Sequence, residues 1–122
     1  MKLRIAVALP ILVLGVALSA WAADITGQWT ATFNTQVGEQ HYTYTFKVDG
    51  EKLTGTAKSD NGTFAIENGT VKGDDVSFVE NLEYQGQKLA ITYTGKISGD
   101  EIKFTRDVGG VAKEDLVAKR VK

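Results

Sequence analysis

Val48-Asp49-Gly50-Glu51-Lys52-Leu53, Val71-Lys72-Gly73-Asp74-Asp75-Val76 and Ile97-Ser98-Gly99-Asp100-Glu101-Ile102 are three versions of one pattern, apolar-polar-Gly-acid-polar-apolar. Each marks a β-hairpin. An apolar residue closes one strand, the glycine supplies the positive φ of a tight two-residue turn, and alternation resumes on the return strand. The pattern recurs at intervals of roughly two strands plus their connections, which predicts an antiparallel meander.

Two-residue alternation places eight strands on the chain. Their apolar faces are Trp29, Ala31, Phe33; Tyr42, Tyr44, Phe46; Leu53, Gly55, Ala57; Phe64, Ile66; Val76, Phe78; Leu89, Ile91, Tyr93; Ile102, Phe104; and Leu116, Ala118. The intervening positions are mostly Thr, Lys, Gln, Ser and Glu, as a sheet with one wet face requires. Such a meander can pack as two sheets or close into a barrel, and closure removes exposed edges. The expected fold is therefore all-β, an eight-stranded antiparallel up-and-down barrel.

The turns also set registers. With Asp49-Gly50 as a loop, Phe46 faces Leu53, Tyr44 faces Gly55 and Tyr42 faces Ala57; with Ser98-Gly99 as a loop, Tyr93 faces Phe104 and Ile91 faces Arg106. Ile66 and Val71 differ in parity, which calls for a bulge near Asn68-Gly69. The three tight turns share one end with both termini. The opposite end carries residues 34–39, 59–62, 81–86 and 107–113, read as longer connections and hence as the place for binding residues.

The start of the chain reads as a targeting segment. Lys2 and Arg4 precede an uncharged apolar run over residues 5–18, and Ala20-Trp21-Ala22 offers small residues where a signal peptidase cuts. The run is short for a membrane anchor, which usually needs ~20 residues. The expectation is a cleaved leader over residues 1–22 and a single domain over residues 23–122, exported to the periplasm or beyond, with no membrane anchor after cleavage.

The formal net charge is −1 with 14 basic and 15 acidic residues, and two of the basic ones lie in the leader. No basic patch for nucleic acid is visible. With no Cys and one His, the chain has neither disulfides nor an ordinary zinc set, and its carboxylates do not follow a calcium-loop spacing. No cofactor or metal is expected, and the oligomeric state is left open.

Gly27-Gln28-Trp29 on the first strand and Arg120 at the end of the last resemble the Gly-x-Trp and C-terminal Arg pairing of lipocalin-like, or calycin, barrels. That resemblance implies structural roles for Gly27, Trp29 and Arg120, the Trp plugging the closed end with the Arg lying across it. Ile25-Thr26-Gly27-Gln28-Trp29 also looks like the opening of the avidins, although a single Trp after the leader speaks against a biotin site. The whole chain further resembles small secreted bacterial modules found alone or beside sugar-hydrolase domains, down to the closing Ala118-Lys119-Arg120.

Extending Val76, Phe78 by two gives Glu80, and extending Ile102, Phe104 by two gives Arg106, so opposite charges point inward near the loop end. Burying either alone is costly. They form either a salt bridge closing the mouth or a polar pair that orients a ligand with hydroxyls or a carboxylate. Tyr42 and Tyr44 continue the inward face and Tyr84 can lie over the mouth, which makes Tyr42, Tyr44, Glu80, Tyr84 and Arg106 the candidate ligand-binding residues. Tyr93 reads as core and His41 as outward-facing. No catalytic residue is assigned.

Three functions fit these features. The first is a binding module for a small molecule, carbohydrate or apolar. The second is a sugar hydrolase using Glu80 with Glu83 or Asp107. The third is a filled-core structural or protein-interaction domain, since an eight-stranded barrel is only just wide enough for side chains to fill.

Overall fold

A computed structural model describes residues 23–122, apart from the side chain of Tyr84. The leader expected over residues 1–22 lies outside the described residues. Eight strands follow one another: β1 (Gly27–Thr35), β2 (Gly38–Asp49), β3 (Lys52–Ser59), β4 (Gly62–Lys72), β5 (Asp75–Tyr84), β6 (Gln87–Ser98), β7 (Glu101–Val108) and β8 (Ala112–Arg120). Each pairs antiparallel with the next and β8 returns to β1, giving a closed meander barrel. The described residues contain no helix.

Alternation gives each strand one buried face, and closure turns those faces inward. On β1 the buried residues are Trp29, Ala31 and Phe33 and the residues between them are exposed; on β2 Tyr42, Tyr44 and Phe46 are buried, with Thr43 half-buried and Thr45 exposed between them. The barrel is filled through most of its depth, with Trp29, Tyr44, Phe46, Phe78, Tyr93 and Phe104 each at most 2% exposed. Phe33, Tyr42, Tyr44 and Phe46 stack as a column with ring centroids 5.6, 5.4 and 5.8 Å apart. Phe78 and Tyr93 stack at 4.4 Å beside it.

The hairpin registers differ from the sequence expectation by two residues. The loops are Gly50-Glu51, Gly73-Asp74 and Gly99-Asp100, so the glycine is the first loop residue and not the second. Its φ is +65°, +58° and +62° in turn, while the acid after it keeps a negative φ, the pattern of a type II′ turn. Phe46 therefore faces Gly55 and Tyr44 faces Ala57, and across the third hairpin Gly95 faces Phe104 and Tyr93 faces Arg106. A shift of two preserves parity, so every inward face survives the correction. Gly95 is needed where it sits, because a Cβ there would lie 2.6 Å from the Phe104 ring.

The bulge expected at Asn68-Gly69 is present. The β4–β5 register shifts between Glu67 and Thr70, and Asn68 holds φ +54°. The loop end is tighter than expected: strands extend until only residues 36–37, 60–61, 85–86 and 109–111 remain as connections. Loop length therefore does not distinguish the two ends of the barrel.

Closure is uneven. The β1–β8 ladder is limited to Trp29↔Arg120 and Thr30↔Lys119, extended by the Val121 amide donating to the Gln28 carbonyl at 2.9 Å. Beyond it the two strands splay, leaving an outer groove lined by Thr32, Asn34, Thr105, Asp115 and Val117.

Candidate functional site

Arg106 on β7 is 4% exposed and Glu80 on β5 is fully buried. Their closest approach, Arg106 Nη2 to Glu80 Oε1, is 3.9 Å, too long for a direct hydrogen bond. Two tyrosine hydroxyls fill the gap. Arg106 Nε donates to the Tyr93 hydroxyl and Nη2 to the Tyr42 hydroxyl, both at 2.9 Å. Tyr93 then donates to Glu80 Oε1 and Tyr42 to Oε2, both at 3.0 Å. The guanidinium fork thus meets the carboxylate through two relaying hydroxyls, and both Glu80 oxygens accept a hydrogen bond. Because the Tyr93 proton is committed to Glu80, the Tyr44 hydroxyl, 3.0 Å away, is the donor to Tyr93.

On the mouth side Arg106 Nη1 donates to Glu114 Oε1 at 2.5 Å. The guanidinium carbon lies 5.2 Å from the ring centroids of both Phe33 and Tyr42 and 5.7 Å from that of Tyr93. A desolvated cation among aromatic faces gains from their quadrupoles. Burial works against the Arg106 charge, but the Tyr93 and Tyr42 oxygens and Glu114 outweigh it and hold its pKa above the ordinary value. Burial also dominates the acids: it raises Glu80 against the opposing pull of Arg106 and the two hydroxyls, and it pushes Tyr42 up to about 12. Tyr44 and Tyr93 are raised by burial as well.

Above this network lies a cavity of about 180 Å³. Its apolar wall includes Leu82, Leu89, Ile91, Val108 and Val111, and its polar lining includes Tyr42, Gln40, Arg106 and Glu114. Arg106 uses three N–H groups on Tyr93, Tyr42 and Glu114. A guanidinium carries about five such donors, so the remainder, together with Glu114 Oε2, has no partner among the described residues. The cavity can therefore offer a small guest both a donor and an acceptor beside an apolar wall.

The five residues singled out from sequence separate into layers. Tyr42 and Arg106 line the cavity. Glu80 and Tyr44 sit beneath it, both fully buried, and reach it only through hydroxyl groups. Tyr84 ends β5, and its side chain lies outside the described residues. Tyr93 reads as core in the sequence, yet its hydroxyl joins Arg106, Glu80 and Tyr44. The register shift is the reason, since it sets Tyr93 opposite Arg106. Glu114 was missed, although extending Leu116, Ala118 backward by two along the inward face of β8 reaches it.

The remaining candidates fall elsewhere. At the opposite end Trp29 is fully buried and donates its indole N–H to the Ile25 carbonyl at 2.9 Å. Arg120 lies over that ring at 4.5 Å, and Gly27 is adjacent to its guanidinium. His41 faces outward between Glu39 and Thr32. Glu83 is exposed, and Asp107 accepts the Gly110 amide in the β7–β8 turn, so neither faces Glu80 across an open cleft. Among the described residues no His/Cys/Asp/Glu cluster is disposed to hold a metal ion.

No family model, curated protein or solved structure matches this chain. Functional assignment therefore rests on the chemistry of the site.

Proposed function

We propose that this chain is an exported, calycin-like β-barrel module that binds a small molecule in the cavity above Arg106. The observation that carries the reading is the cavity itself: a mostly apolar pocket onto which a buried guanidinium and a partly buried carboxylate present unfilled hydrogen-bonding capacity. Pockets that bind small molecules combine an apolar lining with a few placed polar groups. The limited volume and aliphatic wall favour a compact apolar metabolite over a sugar ring. Export is supported by the basic start, the apolar run and Ala20-Trp21-Ala22.

A guest that binds only the folded barrel must raise its melting temperature by mass action. Screening short alcohols, acids, amines and monosaccharides is expected to give a saturable rise with at least one compact amphiphile, abolished by Leu89→Trp, which fills the cavity. The absence of a saturable rise anywhere in the panel would overturn the reading. The filled lower barrel supports a second reading, a structural or protein-interaction domain, and that reading predicts the negative result.

A further inference from the structure

One of the readings that the sequence allows is an Arg106 that grips a ligand carboxylate, but the charges around it argue otherwise. Glu80 approaches the guanidinium from below through Tyr42 and Tyr93, and Glu114 pairs with it directly from the cavity side. One cation is thus faced by two carboxylates, and whatever the protonation of Glu80, no net positive charge is left to attract an anion. A carboxylate guest would meet Glu114 as a neighbour with its Oε2 unpartnered and its side chain only 11% exposed. Like charges in so confined a place repel strongly. The rim does not change the sign: Glu39, Asp60, Glu83 and Asp107 stand against Lys58, Lys88 and Lys113 on the same end of the barrel.

Size narrows the guest further. The cavity of about 180 Å³ is smaller than ordinary ligand pockets of ~300–1,000 Å³, so it suits a short guest. We infer that the mouth cavity selects short primary alkylammonium compounds, the ammonium seated on Glu114 Oε2 and the tail against Leu82, Leu89, Ile91, Val108 and Val111. The Gln40 side chain, which also lines the cavity, supplies an amide oxygen for a second ammonium proton. The inference rests on the reading above that this cavity is a binding site, and it specifies the head group.

Three probes of nearly equal length separate the possibilities: pentylammonium, pentanol and pentanoate, titrated into the isotopically labelled protein at neutral pH and followed by amide and methyl NMR shifts. Pentylammonium is expected to bind at least about tenfold more tightly than pentanoate, with pentanol between them. Added salt weakens the ammonium complex and leaves the alcohol unchanged, because only the former rests on charge. Glu114→Gln is expected to remove the ammonium preference while pentanol binding stays within about threefold. Should the variant fold poorly, the salt dependence of the native protein decides alone. Pentanoate binding equal to or tighter than pentylammonium would overturn the inference and leave the cavity a binding site, whereas failure of all three to perturb Leu82, Ile91, Val108 and Val111 would overturn the site as well.

Discussion

Two arginines sit over aromatic rings at the two ends of one barrel, and they do opposite work. Arg120 lies 4.5 Å above Trp29 with about a quarter of its side chain in solvent, and it donates to Asp100, to the Thr26 carbonyl and to the Asp24 carbonyl. The Trp29 indole N–H is met by a backbone carbonyl. That end is a plug: Arg120 also makes three hydrogen bonds, and its part-exposed guanidinium leaves the remaining N–H groups to water. Arg106 is desolvated among Phe33, Tyr42 and Tyr93, tied to side chains only, and left with spare donors beside a void. The contrast teaches that an arginine on an aromatic face works according to its surroundings: Arg120 ties chain termini together at the surface, whereas Arg106 holds Glu114 at the edge of a cavity.

The largest effect expected from breaking the contrast comes from Glu80→Ala, which leaves a buried guanidinium without its lower partner. Loss of one member of such a pair costs about 3–5 kcal/mol, measurable by urea unfolding. The double replacement Glu80→Met with Arg106→Met is expected to recover part of that loss, since apolar residues of similar volume spare both desolvation costs while Tyr42, Tyr93 and Glu114 lose their partners. A double variant as weak as the single one would mean that the network does more than neutralise itself.

Tyr93→Phe comes next. It keeps the ring packed against Phe78 but strips Arg106 Nε and Glu80 Oε1 of their shared partner, at an expected cost of about 1–3 kcal/mol in the same assay. Arg120→Ala is milder, about 1 kcal/mol, because a part-exposed cation–π contact contributes little and water can donate to the acceptors that Arg120 leaves. A reversal of that order would contradict the assignment of the two ends.

The smallest effects lie in pH, where the ends differ in sign. Asp100, lowered by Lys122 and Arg120, and Asp24, lowered by the Thr26 amide and hydroxyl, contribute stability above their unfolded value of 3.8 that is lost as pH falls below it. Glu80 is raised above 4.5, so the folded barrel holds its proton longer than the unfolded chain. Its contribution is therefore largest below 4.5 and falls as pH rises through the elevated folded value. Unfolding midpoints across acidic and neutral pH are expected to flatten on the acid side in Asp100→Asn and on the rising side in Glu80→Gln.

Much of this architecture was legible in the sequence, because burial on a strand has a period of two and even Glu80 and Arg106 betray their faces by parity alone. What escaped was anything that depends on which residue of Asp49-Gly50-Glu51 or Ser98-Gly99-Asp100 opens the turn. That single ambiguity displaced Tyr93 from Arg106 and hid its hydroxyl. Contacts across the barrel, such as Tyr42 with Glu80 and Tyr44 with Tyr93, join strands that are not neighbours in the sheet. They follow from closure and strand stagger, which no hairpin reveals. Glu114 was accessible to the same parity argument, but its strand shows only Leu116 and Ala118 as an apolar signal.

The most direct test of the difference between the ends is to follow two side-chain N–H resonances, Arg106 Nε and Trp29 Nε1, while pentylammonium is titrated into the folded protein. The Arg106 signal is expected to shift saturably while the Trp29 signal stays in place. A shift at Trp29 with Arg106 unmoved would place binding at the plugged end and contradict the assignment of the cavity as the site.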